Sequence, residues 1–246
     1  MFKKNIIKFL KFIYTIRIIL KKYAFAPLDA APRKKYVQKA WERFHEEQMN
    51  ESYNYFSKFF LTAHFRTSDQ IRDFAIKQAI EKFAEKNYYN LEFGVWTGAS
   101  TRKFGKKLGN QKIYAFDSFQ GLKDIWVGQN VSGEKFDLMG NIPVFEKNIV
   151  PIKGWVQDTL PTFIKDNFSE NNNKIGFVHM DLDTYESSKF VLQQIKKHLA
   201  KNSIIIFDEL YNYAGWQMGE FKALTEVFKE NEYRYLCFSM DKEQVV

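Results

Sequence analysis

Glu92-Phe93-Gly94-Val95-Trp96-Thr97-Gly98 follows the strand-like run Tyr88-Tyr89-Asn90-Leu91, and its reading decides the fold. An acidic residue at a strand end, with glycines two and six residues on, describes a turn where backbone passes close to a ligand. Glycine supplies the turn geometry and the clearance that a side chain would block. The next run, Ser100-Thr101-Arg102-Lys103-Phe104, opens a predicted helix whose amino end suits an anionic group. The spacing is ExGxxxG, not the GxGxxG that wraps a pyrophosphate. A cofactor with a carboxylate and no phosphate fits this wider turn better.

Further strands follow at regular intervals. Lys112-Ile113-Tyr114-Ala115-Phe116 reads as a second strand closed by Asp117, placed to accept from ribose hydroxyls. Val150–Gly154 reads as a third, leading into Trp155-Val156-Gln157-Asp158-Thr159-Leu160-Pro161. Ile175–Met180 ends at Asp181-Leu182-Asp183, and Ser203–Phe207 ends at Asp208-Glu209. Between these last two, Val191, Leu192, Ile195 and Leu199 have the spacing of one helix face. Alternating strands and helices argue for a mostly parallel sheet, and in such sheets ligands bind beyond the carboxyl ends of the strands.

These segments together resemble class I S-adenosylmethionine-dependent methyltransferases. The motifs are ExGxxxG, Asp117-Ser118-Phe119-Gln120-Gly121-Leu122, Gly154–Pro161, Asp181-Leu182-Asp183-Thr184-Tyr185-Glu186-Ser187 and Phe207-Asp208-Glu209. They are most similar to the macrocin O-methyltransferase group, which methylates sugar hydroxyls. The resemblance spans residues 88 to 235. It implies an α/β, Rossmann-like class I methyltransferase fold: a mostly parallel seven-stranded sheet with helices on both faces and an N-terminal helical extension.

The resemblance also implies roles. Glu92, Gly94, Trp96 and Gly98 would line the cofactor, Ser100 and Thr101 would hold its amino-acid end, and Asp117 with Ser118 would take the ribose. Trp155, Val156 and Gln157 would border the adenine, as the similar segment of catechol O-methyltransferase does. Asp181 would sit by the sulfonium and, with Asp208 and Glu209, bind magnesium. The 27-residue interval from Asp181 to Asp208 agrees with the macrocin group. Glu209 departs from the pattern, since that group has Asp there and the catechol enzymes Asn; its extra methylene changes its reach. A hard divalent cation on oxygen ligands would lower the pKa of a sugar hydroxyl and fix its oxygen in line with the methyl group.

His179, two residues before Asp181, is a second catalytic candidate, with packing inside a buried strand as its competing reading. His64 is either a base from an N-terminal lid or a solvated loop residue. Tyr211, Tyr213, Trp216 and Glu220 read as a substrate wall, with Trp216 and Phe221 as a cover over the sheet end as the competing reading.

Composition narrows the rest. The 246 residues suffice for one α/β domain with an extension, and 45% apolar content suits a globular protein. The single cysteine, Cys237, excludes an internal disulfide and fits a reducing, cytoplasmic setting. There is no zinc-type Cys/His cluster, phosphate loop or nucleophile elbow.

Residues 1–36 hold ten Lys or Arg and one acid, Asp29, so the remainder of the chain is nearly neutral. Lys8, Lys11 and Arg17 interrupt the apolar run, which is too short for the ~20 residues of a membrane span. A basic, aromatic-rich helix against an anionic membrane surface, through residues 1–22, fits this pattern, with packing on the domain or a partner as the alternative. Nucleic acid is not the expected partner, and homo-oligomerisation stays open.

The sequence divides into a basic arm (1–26), a helical cap or linker (27–67) and a cofactor-binding domain (68–246). Pro27 and Pro32 read as a hinge; Val37, Ala40, Trp41 and Phe44 begin an amphipathic helix, and residues 34–67 are expected to cap the substrate side. Tyr233–Phe238 and Gln244–Val246 are expected as closing antiparallel strands. The favoured function is O-methylation of a sugar or glycan-like hydroxyl with S-adenosyl-L-methionine and Mg2+. Metal-free N- or C-methylation and a non-catalytic cofactor-binding scaffold are the alternatives.

Overall fold

Strand alternation sorts the apolar residues into two layers, one on each side of a sheet. In the computed structural model, which describes residues 30–83, 88–128, 133–168 and 172–246, five parallel strands form that sheet. They are β2 (Tyr89–Phe93), β3 (Ile113–Asp117), β4 (Ile149–Lys153), β5 (Ile175–Met180) and β6 (Leu199–Phe207), in the order β4-β3-β2-β5-β6. Leu91, Phe93, Phe116, Val178, Met180 and Phe207 face one core. Ala115, Phe177, Ile204 and Ile206, their neighbours in sequence, face the other. All six residues of β5 are buried, as a central parallel strand requires.

Helices cover both faces. On one side α2 (Ser68–Phe83) and α3 (Ala99–Leu108) bring Ile71, Ala75, Ile76 and Phe104 to the core. On the other, α4 (Val156–Phe168), α5 (Tyr185–Ile195) and α6 (Glu220–Val227) contribute Leu160, Val191, Leu192 and Leu224. The helical spacing that included Leu199 overran: α5 stops at Ile195, a 3-10 turn follows, and Leu199 is the first residue of β6.

The sheet differs from the expected seven continuous strands. β7 (Cys237–Ser239) pairs in parallel with β1 (His64–Arg66) as a separate two-stranded unit. Val245 links this pair to the main sheet, forming antiparallel bridges to both Phe207 and Phe238. Gln244–Val246 is therefore antiparallel, as expected, but β7 runs in the same direction as β6. The predicted strand Tyr233–Phe238 begins later, at Cys237, because the Tyr235 ring turns into the core against Phe56 and Phe59. His64, exposed on β1, lies on this outer pair.

The first described element is one long helix, α1 (Ala30–Phe60), which joins the two expected helical segments without a break. Pro32 falls in its first turn, where a missing N–H costs no helical hydrogen bond. The chain divides into two compact units within this helix, residues 1–44 and 45–246. In the first unit Val37, Trp41 and Phe44 are exposed. In the second, Phe56 is fully buried among Tyr211, Trp216 and Phe238. No helix among the described residues is long and apolar enough to cross a membrane. The basic arm, with its expected membrane contact through residues 1–22, lies outside the described residues, as does Pro27.

Candidate active site

Parallel register sets the ends of the central strands level. Phe93 pairs with Phe116 on one side and Met180 on the other, and Met180 pairs with Phe207. The residues that follow, Gly94, Asp117, Asp181 and Asp208, consequently emerge side by side where the strand order reverses between β2 and β5. That switch point is where open α/β sheets leave a crevice. A cavity of about 620 Å³ opens there.

The glycine turn is built against its neighbours. Gly94 has φ +86°, and a Cβ on it would lie 1.6 Å from the Asp181 carbonyl oxygen, so only glycine fits. The N–H groups of Val95 and Trp96 both donate to Asp117 Oδ2 at 2.7 Å, and that of Phe119 donates to Oδ1 at 2.6 Å. Asp117 thus ties the β2 turn to the β3 turn. These three bonds leave part of its lone-pair capacity for a ligand. Gly98, φ +79°, caps α3, and a Cβ there would strike Phe145.

The sequence-predicted residues divide between cavity and support. Gly94, Trp96, Ser100, Asp117, Ser118, Trp155, Val156, Gln157 and Asp181 line the cavity, as do Asp208 and Glu209. Glu92, Gly98, Thr101 and His179 do not line it. Glu92 is fully buried and accepts a 2.6 Å hydrogen bond from Ser100 Oγ. Tyr211, Tyr213, Trp216 and Glu220 are also outside the lining, and so is every residue of 45–67. The aromatic residues of the post-β6 loop pack against α1 instead: Trp216 meets Tyr55 and Phe56, Ser52 Oγ accepts from Asn212 N–H, and Gln48 Oε1 from Gly215 N–H. The residues expected as a substrate wall are buried in the core.

The acidic end of the cavity is crowded. Potential ligand atoms of Asp181, Asp183 and Glu209 lie within 4.8 Å of one another; a second group joins His179, Asp181 and Asp208. Burial pushes the carboxyls of Asp181 and Glu209 well up, and the charge of Asp208 adds to it. Burial and Asp208 likewise raise Asp183 to about 7. Glu220, buried behind them, is raised by burial too, although the Glu209 N–H donates to it at 3.2 Å. Asp208 goes the other way. Burial alone would raise it, but His179 and Arg72 hold it well below the usual carboxylate range.

His179 is completely buried between two carboxylates. Its Nδ1 lies 2.9 Å from Glu92 Oε1 and its Nε2 lies 3.6 Å from Asp208 Oδ1. Burial by itself would depress the imidazole; Asp208 and Glu92 outweigh it and raise it to about 10. The ring lies behind the acidic floor, edge-on to Phe104 of α3.

Several lining residues had no sequence signal. Arg72 reaches the strand ends from α2 and donates to Asp208 Oδ1 at 2.7 Å, a contact that helix periodicity does not reveal. Gln244 reaches the same oxygen from the C-terminal strand. Trp126, Lys135 and Phe136 come from the long β3–β4 connection, where the ring of Phe136 stands edge-on to Trp96, centroids 5.5 Å apart. Asp183 was legible only as part of the Asp181–Asp183 motif. It adopts φ +60°, a left-handed conformation that Asp tolerates better than most residues.

Residues 91–210 match a family model described as a methyltransferase domain. Three solved structures share the fold. CalS11, a calicheamicin methyltransferase, has TM-score 0.56 and 23% identity over 72% of this chain and 79% of its own. The apo structure of CalS11, described as a TDP-rhamnose 3'-O-methyltransferase, has TM-score 0.52 and 23% identity over 72% and 76%. The O-methyltransferase NovP has TM-score 0.50 and 18% identity over 72% and 76%. Residues 91–210 are thus a methyltransferase domain, within a chain that shares the fold of these methyltransferases. No curated protein matches it in sequence.

In a methyltransferase domain the Asp117 contacts predict a double effect. Asp117→Ala should weaken S-adenosylhomocysteine binding by about 1.5–3 kcal/mol, the range for hydrogen bonds to a charged group. It should also lower the melting temperature, because the Val95 and Trp96 N–H groups lose their acceptor. Calorimetry and thermal melts together check this; unchanged affinity would remove Asp117 from the cofactor site.

Proposed function

We propose that this enzyme methylates the hydroxyl of a sugar or glycan-like acceptor, with a divalent cation assisting. The observation that carries the reading is the meeting, in one cavity, of the Gly94 turn with three clustered carboxylates, Asp181, Asp183 and Glu209. The described activity of CalS11 on TDP-rhamnose and that of NovP as an O-methyltransferase agree with it.

The residues fit both groups. Bound S-adenosylmethionine supplies an electrophilic methyl on a sulfonium, and transfer to a hydroxyl oxygen releases S-adenosylhomocysteine and a proton. Trp96, Ser100, Asp117, Ser118 and Trp155 would hold it. Gln157 Oε1, buried in the lining with no partner in the protein, offers an acceptor toward the adenine end. A hard divalent cation supplies Lewis acidity toward the acceptor oxygen. The donor set here is all carboxylate, and Glu209 Oε2 is buried without a partner, as an oxygen reserved for a cation would be. Asp181 belongs to both halves, since its backbone carbonyl packs on Gly94 and its carboxylate joins the acidic cluster. We therefore put the methyl group and the acceptor oxygen beside Asp181. His179 stays behind the floor as a positioning residue.

Screening the purified protein with S-adenosylmethionine and magnesium against nucleotide sugars, glycans and small phenols tests the reading. With an acceptor in hand, chelation should abolish turnover and magnesium should restore it. Turnover indifferent to chelator would remove the metal and favour metal-free transfer.

A further inference from the structure

The long connection between β3 and β4 doubles back along the cavity on two legs. Gln120 bridges Asp137 in the antiparallel sense, the Leu122 N–H donates to Gly133 O at 3.2 Å, and the Leu138 N–H donates to Phe119 O at 3.1 Å. The legs approach so closely at Gly121, φ +79°, that a Cβ there would lie 2.0 Å from the Gly133 carbonyl oxygen. Gly128, φ +84°, is seated in the same way on the Ala214 carbonyl of the post-β6 loop. Trp126 stands between these two pinned glycines, and Phe136 stands on the opposite leg. Both rings line the cavity, their centroids 6.2 Å apart, and Phe136 is in turn edge-on to Trp96. Lys135 carries that leg toward the acidic end, where its charge offsets part of the rise that burial imposes on Asp183.

Trp126 Nε1 is buried and has no partner among the described residues. A buried indole N–H ordinarily finds an acceptor. Trp216 Nε1 also lacks one, but that ring is sealed in the core and outside the lining, whereas Trp126 opens on the cavity. Indole nitrogen only donates, so it serves neither a cation nor a sulfonium; the partner it lacks is an oxygen. We propose that Trp126 and Phe136 form the acceptor subsite, taking the C–H face of a sugar ring against their aromatic faces while Trp126 Nε1 donates to an oxygen of that sugar. The inference rests on the sugar reading above and narrows it to a saturated, oxygen-rich ring. Such a ring is apolar on its C–H face and polar around its rim. Aromatic faces cover the first, and the indole N–H with the carboxylates at the acidic end meets the second. The cofactor contacts assigned above come from the strand ends and the turns after them, whereas these two rings come from the doubled-back connection.

The test follows the indole N–H signals of the full-length, nitrogen-15-labelled protein by nuclear magnetic resonance, with the Trp126 signal assigned by its loss in Trp126→Phe. S-adenosylhomocysteine is added to saturation first, and the methyl pyranosides of glucose, galactose, mannose and rhamnose are then titrated singly. The Trp126 signal should move with a pyranoside far more than with S-adenosylhomocysteine. Pyranoside affinity, read from saturation transfer to the sugar, should fall at least about tenfold in Trp126→Ala and about threefold in Trp126→Phe, which keeps a ring without the N–H. Calorimetry should find S-adenosylhomocysteine affinity unchanged in both, and circular dichroism checks that each variant folds. A Trp126 signal that S-adenosylhomocysteine moves and pyranosides do not would give the indole to the cofactor and overturn the inference. Pyranoside binding of parental strength in Trp126→Ala would overturn it as well, while the sugar reading stands. If no pyranoside of the panel binds the unmodified protein, the subsite and the sugar reading fall together.

Discussion

Asp181→Asn lowers turnover at least ~100-fold while cofactor affinity changes far less. The side chain keeps its size but loses its charge at the point where the glycine turn meets the acidic cluster. Loss of one preorganised electrostatic group at a reacting centre costs about 10²–10³ in rate, and the lost charge also weakens any bound cation. The backbone role of Asp181 survives the substitution: its N–H donates to Phe93 O at 2.9 Å and its carbonyl packs on Gly94, whatever the side chain. The contrast variant is His179→Gln, a smaller change in rate if the imidazole only supports Asp208 and Glu92. Single-turnover rates for both, on the acceptor returned by the screen, decide the matter. Near-normal rates in Asp181→Asn would move the chemistry elsewhere in the cavity.

Gly94→Ala is expected to cost about 2–5 kcal/mol of stability and to abolish cofactor binding in whatever fraction still folds. Two penalties combine. A side chain in the left-handed region costs roughly 1–2 kcal/mol, and overpacking of a rigid site typically costs about 1–3 kcal/mol more. The clash is with backbone, the Asp181 carbonyl at 1.6 Å, so rotamer changes cannot relieve it. The sequence suggests that a residue here would block the cofactor's path; the structure moves the first obstruction to the end of β5. Thermal melts should fall by about 2–4 °C per kcal/mol for a chain of this size. A melting temperature within a few degrees of the parent would mean that the two strand ends are further apart than described.

What the sequence by itself determined is whatever depends on local pattern. Two-residue alternation and one-face helical spacing locate β2 to β6 and α5 within a few residues, since both periods are set by backbone geometry. The ExGxxxG turn and the acidic strand ends locate the cavity, because parallel strands must deliver their carboxyl ends to one edge. Local pattern failed where a neighbour distant in sequence decides. The aromatic residues after β6 read as a substrate wall, but they meet the buried half of α1 and become core. Glu92 reads as a cofactor contact, but register sets it opposite His179 inside the sheet. Asp208 and Glu209 read as equivalent ligands, and both line the cavity, but they meet different partners. Asp208 Oδ1 accepts from Arg72 of α2, whereas Glu209 Oε2 is left without a partner among the described residues. Which carboxylate receives a guanidinium and which is left without a partner is settled only when a helix 136 residues away in sequence packs over the strand ends.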